Sequence, residues 1–158
     1  MIWGLGVWEI CLVTVGRIKD PGAAALAETY SKRVGGEWRL ALSSVPASKR
    51  SDAAARRREE TQALLSRVPK GAKAIALDPD GASFDTARFS SLLGGMKDRG
   101  EGACFLVGGA YGLDKAALKG AMTLSLSPMT MAHELAAAVL CEQIYRAFTL
   151  KTGRPYSK

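Results

Sequence analysis

A chain of 158 residues has the length of one ordinary domain, and 47% hydrophobic with 23% charged residues fits a globular protein. No apolar run is long enough to span a membrane. The net charge of +7, from 22 Lys and Arg against 15 Asp and Glu, favours a polyanionic partner, although composition alone serves a basic protein without one equally well.

The segments alternate between strand and helix. The start, MIWGLGVWEICLVTVG, is apolar but lacks the basic region and small-residue cleavage site of a secretion signal, so it reads as a leader into a buried strand of a cytoplasmic protein. EICLVTVGRI (9–18) is the β-rich first segment, its strand ending at Gly16, and Asp20-Pro21-Gly22 turns the chain into a helix with Pro21 in the first turn. WRLALSSV (38–45) alternates as a half-buried strand does. The polar, Ser-rich SSVPASKRSD reads as the mobile loop of the chain. Asp52 caps a helix reaching about Val68, before Pro69. AKAIALD (72–78) is a continuous apolar strand, Asp85 opens a helix to about Lys97, and ACFLVGG (103–109) is a further buried strand. LDKAALKGA is a short helix, MTLSLS a short strand, and AHELAAAVLCEQIYRAFTL a helix of about five turns. Near-continuous apolar strands alternating with helices predict an α/β fold, its parallel sheet covered on both faces.

The basic residues cluster in SKR at 31–33 and 48–50, RRR at 56–58, and the terminal KTGRPYSK. RRREE reads as a helix face that partly neutralises itself. The three cysteines, Cys11, Cys104 and Cys141, sit in separate apolar segments and read as buried thiols.

FLVGGAYGLD follows a strand and opens a helix, where glycines allow close backbone approach and a helix start favours anions. Its spacing is neither GxGxxG nor a triphosphate loop, so it serves equally as a tight turn without ligand. IALDPDG and LSLSPMTM end two further strands at the same sheet edge, and the three ends together outline a pocket. HELAAA excludes HExxH zinc chemistry, because His133 is the only histidine. The absence of GxSxG leaves a Ser-His-Asp triad without support.

The series LVTVGRIK, IALDPDG, FLVGGAYGLD, LSLSPMTMAHEL, EQIYRA and GRPY, in that order over residues 9–156, resembles the ribosomal RNA large subunit methyltransferase H family, SPOUT-class pseudouridine N3-methyltransferases. The resemblance implies one SPOUT domain over 1–158, with about residues 1–8 an N-terminal extension and a C-terminal trefoil knot. It implies a homodimer that binds S-adenosylmethionine and modifies a pseudouridine of 23S rRNA in the ribosome. The matching cofactor positions are Leu77, Gly108, Leu126, Ser127, Pro128, Met129, Thr130 and Met131. Apolar side chains among them suit adenine, and Gly108 suits a close approach. Methylation at N3 needs the ring to lose a proton, and Tyr156 and Arg146 are the candidates to assist, with His133 structural. An ion pair with Glu142, one turn earlier, is the equal alternative for Arg146. The chain departs from the family pattern at Ala132, Ala137, Arg154 and Ser157, where Pro, Arg, His and His are usual. Those departures keep two rivals open: a non-catalytic RNA- or ribosome-binding module of the same fold, and the nucleotide-binding domain of another enzyme.

Overall fold

The computed structural model describes residues 6–156; residues 1–5 of the expected extension, and Ser157 and Lys158 of the tail, lie outside the described residues. Five strands form one parallel sheet: β1 (Trp8–Val15), β2 (Trp38–Val45), β3 (Ala72–Ser83), β4 (Gly102–Val107) and β5 (Met122–Ser125). Their order across the sheet is β2-β1-β4-β3-β5, and every pairing is parallel. Among the described residues four α-helices accompany the sheet: α1 (Pro21–Arg33), α2 (Ala53–Ser66), α3 (Thr86–Asp98) and α4 (His133–Thr152).

Side chains along a strand alternate between faces, and the core divides accordingly. Ile10 and Leu12 of β1 and Phe105 of β4 join Trp38, Leu93, Ile144 and Phe148 on one face. Val13, Val15, Cys104 and Leu106 meet Leu64 and Leu118 on the other. Helices α1 and α3 both pack on α4 over the first face, while α2 covers the second. The caps form where the sequence places them. Asp20, Asp52 and Asp85 accept from the amides of Ala23, Ala55 and Arg88 at 2.8, 2.8 and 2.7 Å.

The structure moves several boundaries. Strand β1 begins at Trp8, one residue before the expected start, and the Trp8 indole N–H donates to the Glu101 carbonyl at 2.8 Å. Its end is where expected, at Gly16, which turns the chain at φ 73°. The expected helix after the Gly-rich turn is a single 3₁₀ turn, Lys115–Leu118. Strand β3 does not stop at Asp78: Leu77 and Ala82 both register on Leu124, so 78–81 makes a wide excursion against β5 before pairing resumes. The Ser-rich loop is tethered, because the Ser48 amide donates to Oε1 of buried Glu60 at 3.0 Å. The acidic half of RRREE does not neutralise the basic half. Glu59 pairs with Arg50 at 2.9 Å and Glu60 faces the interior. The apolar side of α4 is covered within its own chain, where Ala137, Leu140, Cys141, Ile144 and Phe148 are fully buried. That apolarity therefore does not by itself require a partner. Cys104 and Cys141 are buried and Cys11 is half-buried, and all three are free thiols; burial pushes the Cys141 thiol up to about 12.

Candidate functional site

The carboxyl ends of β3, β4 and β5 open into a cavity of about 720 Å³. That is the size class of small-molecule sites, at the sheet edge where parallel α/β folds place their ligands. Leu77 and Asp78 line it from β3, Gly108 to Leu113 from the Gly-rich turn, and Leu126, Ser127, Met129 and Met131 from the loop after β5. Six of the eight sequence-predicted positions thus share one wall. Pro128 and Thr130 do not line it; they belong to the same loop.

Local bonding shapes each edge. The Ser125 hydroxyl donates to the Ser127 carbonyl at 3.0 Å, and the Met129 amide donates to Ser127 Oγ at 3.0 Å. These bonds curl the loop and leave Met129 78% exposed over the opening. The Gly112 amide donates to the Gly109 carbonyl at 3.0 Å, with Gly112 at φ 79°, where a side chain would be strained. A Cβ on Gly108 would lie 2.9 Å from Leu113 Cγ and 3.1 Å from the Gly112 carbonyl carbon. Gly108 is therefore needed by the turn itself, before any ligand enters. The Asp114 amide donates to buried Thr61 Oγ1 at 2.9 Å, fixing the turn to α2.

Several lining residues were not among the sequence-predicted site positions. Lys115 bridges Asp80 at 2.5 Å and Asp78 at 3.7 Å. The Asp80 bond holds the Lys115 ammonium above its usual range and, with the same ion pair, the Asp80 carboxyl below its own. Arg57 reaches the cavity from α2 and Tyr111 from the Gly-rich turn. His133 lines it at the first turn of α4, beside Ala132, which caps that helix without a side-chain bond. The neighbouring Glu134 accepts from the Lys19 and Asp20 amides at 2.9 and 2.8 Å. HELAAA is thus a tie between α4 and the β1–α1 loop. Among the described residues no His, Cys, Asp or Glu cluster could hold a metal ion.

The two sequence candidates for catalysis lie elsewhere. The Tyr156 hydroxyl donates to Glu142 Oε1 at 3.0 Å, and its ring meets that of Tyr145 edge-on at 4.6 Å. Arg146 donates through Nε to the same carboxylate at 3.1 Å and stands 5.0 Å over the Tyr156 ring. The ion pair weighed as the alternative for Arg146 is therefore present. The nearby Tyr30 hydroxyl, burial and Glu142 together push the Tyr156 phenol above its ordinary value, so it keeps its proton. Neither residue lines the cavity. At 1.5 Å per helical residue, Glu142 lies about 9 Å along α4 from Ala136, which lines the cavity.

Proteins described as "Predicted SPOUT methyltransferase" match residues 8–157 of this sequence. The chain belongs to the SPOUT methyltransferases. The "Ribosomal RNA large subunit methyltransferase H" of Anaeromyxobacter sp. (strain Fw109-5) is 40% identical over 149 residues, covering 93% of this chain and 97% of that one. The protein of that name from Gluconacetobacter diazotrophicus is 42% identical over 148 residues, covering 93% and 95%. Those identities place this SPOUT protein in the methyltransferase H family. The same fold recurs in a probable methylase family protein from Haemophilus influenzae Rd KW20, with TM-score 0.55 and 13% identity over 95% of this chain and 70% of that one. It recurs also in a chain described under 2-OH methylation of C/U34 on tRNA, with TM-score 0.51 and 20% identity over 93% and 99%. Of the positions where the SPOUT chain was expected to depart from its family, Ala137 is fully buried and Arg154 stacks on Phe148 at 4.9 Å. Among the described residues no helix is long and apolar enough to cross a membrane.

Proposed function

We propose that this SPOUT protein methylates N3 of a pseudouridine in 23S rRNA of the large ribosomal subunit, with S-adenosylmethionine as donor, in the cytoplasm. The convergence of Leu77, Gly108, Leu126, Ser127, Met129 and Met131 on one 720 Å³ cavity carries this reading. The residues present fit the donor. Leu77, Leu126, Met129 and Met131 offer apolar walls for a purine, and the curled 126–131 loop and Gly-rich turn offer backbone groups for its polar edge. Asp78, whose side chain is only 10% exposed, supplies negative charge beside a cationic ligand. When bound, the sulfonium supplies an electrophilic methyl group. The chain's own part is to hold donor and base in line, exclude water, and offset charge that develops on the uracil ring.

The separation of Tyr156 and Arg146 from the cavity bears on how that charge is met. A homodimer would bring the tail of one protomer to the cavity of the other. Leu26 on α1 and Leu135 and Leu150 on α4 are 47%, 48% and 51% exposed on two helices packed together, an apolar surface that suits a second copy. In that arrangement Arg146 offsets the ring's negative charge. Tyr156, protonated and bonded to Glu142, acts as a hydrogen-bond donor and not as a base. The 78–81 excursion over Leu124 is where threading of the expected trefoil knot would occur.

Calorimetry with S-adenosylmethionine tests the donor site, and mass mapping of 23S rRNA from a deletion strain, with and without added protein, tests the substrate. Saturable cofactor binding with no restored modification would select the non-catalytic RNA-binding reading. Absence of cofactor binding would remove the proposal altogether.

A further inference from the structure

The triple arginine of α2 is not neutralised where the sequence suggested it would be. Glu59 turns to Arg50, and Glu60 is 3% exposed and bonded to the Ser48 amide. Arg57 and Arg58 form no ion pair with a described residue, and Arg57 lines the cavity. The other cation at that rim, Lys115, is held by Asp80 and Asp78. Positive charge on this side of the opening therefore stays on α2. Between α2 and the Gly-rich turn, the Arg56 guanidinium lies 4.7 Å over the ring of Tyr111, which is 48% exposed and also lines the cavity. A flat ring backed by a planar cation, with an unpaired arginine on the next residue, matches what single-stranded nucleic acid presents: a base face and an adjacent phosphate.

We propose that Tyr111, Arg56 and Arg57 form a contact for single-stranded RNA at the mouth of the cavity, with a base beside the modified nucleotide stacking on Tyr111 and its phosphate meeting Arg57. This contact is separate from the basic tail and rests on the rRNA reading above. It makes α2 a positioning element: the stack fixes which nucleotide faces the cavity, and Arg57 fixes how deep the backbone sits. The Gly-rich turn then serves two ligands, its backbone facing the cavity and its one aromatic side chain facing outward.

Binding of full-length protein to purified large ribosomal subunits and to a short oligouridylate, measured across a salt series, tests this. Arg57→Gln is expected to lower the slope of log affinity against log salt by about 0.7 to 0.9, one phosphate contact. Tyr111→Leu is expected to weaken binding about tenfold, within the range of one lost base stack, while Tyr111→Phe keeps near wild-type affinity. Circular dichroism spectra matching the wild type would show that the variants fold. Wild-type slope for Arg57→Gln together with wild-type affinity for Tyr111→Leu would overturn the contact and leave the rRNA reading standing. Equal weakening by Phe and Leu would overturn the stacking role. A wild-type protein that retains neither RNA would overturn the rRNA reading, and this proposal with it.

Discussion

Gly81→Ala probes the closest approach of a described glycine to another strand's backbone. A Cβ at this position would stand 2.7 Å from the Leu124 nitrogen and 2.7 Å from the Thr123 carbonyl carbon. Both are backbone atoms of β5, so no rotamer can relieve the clash. Either the 78–81 excursion lifts or β5 shifts along Leu77 and Leu124, which flank the cavity. Overpacking of this kind costs about 1–3 kcal/mol. Removing a glycine from the unfolded chain returns about 0.4–1 kcal/mol, and Gly81 is not among the positive-φ glycines, so no backbone strain is added. The net expectation is a loss of about 1–2 kcal/mol. For a domain of this length that lowers the unfolding midpoint by roughly 3–6 °C, with weaker S-adenosylmethionine binding in the same variant. Gly35→Ala is the matched control. Nothing lies within 4 Å of its would-be Cβ and its φ is not positive, so only the unfolded-state gain remains and the midpoint should rise slightly. Thermal unfolding followed by circular dichroism, with calorimetry for the cofactor, reads both quantities. A midpoint for Gly81→Ala at or above wild type would refute the close passage of 78–81 across β5, and with it the site of threading.

Four other outcomes follow from the same geometry. Ala136→Trp, on the cavity-lining turn of α4, should weaken S-adenosylmethionine binding more than tenfold with an unchanged unfolding midpoint; calorimetry and melting of one sample check both. Deleting residues 154–158 should leave cofactor affinity near wild type and abolish methylation of large subunits, since Tyr156 does not line the cavity. A Leu26→Asp, Leu150→Asp double variant should sediment as a monomer and lose methylation, whereas wild type should sediment as a dimer at micromolar concentration. Glu134, whose carboxyl the Lys19 and Asp20 amides hold below its usual range, binds its proton more weakly folded than unfolded. Its contribution is therefore present above the ordinary carboxylate value and lost on acidification, so the midpoint gap between wild type and Glu134→Ala should close as pH falls from about 5 to below 4.

The sheet was legible because its strands carry their own signals. Continuous apolar runs such as AIAL and ACFLV predict buried strands, and the Asp caps mark three of the four described α-helix starts. The cavity wall was legible for a related reason: strand ends in a parallel sheet converge, so Leu77, Gly108 and the 126–131 loop meet whatever joins them. What sequence could not supply is the partner of each charge. RRREE looks self-neutralising when read along one helix, but pairing depends on which way each residue faces. The α2 register turns Glu60 into the core and Glu59 toward Arg50, leaving Arg57 at the cavity. Tyr156 is the mirror case. The family resemblance suggested a side chain reaching into the site. In the fold, the chain doubles back past Gly153, at φ 71°, and lays the ring on Tyr145 beside Glu142 and Arg146. The phenol held there is bonded to Glu142, about 9 Å along α4 from cavity-lining Ala136, and does not itself line the cavity. In the proposed homodimer, the base that the tail faces would sit in the cavity of the second copy.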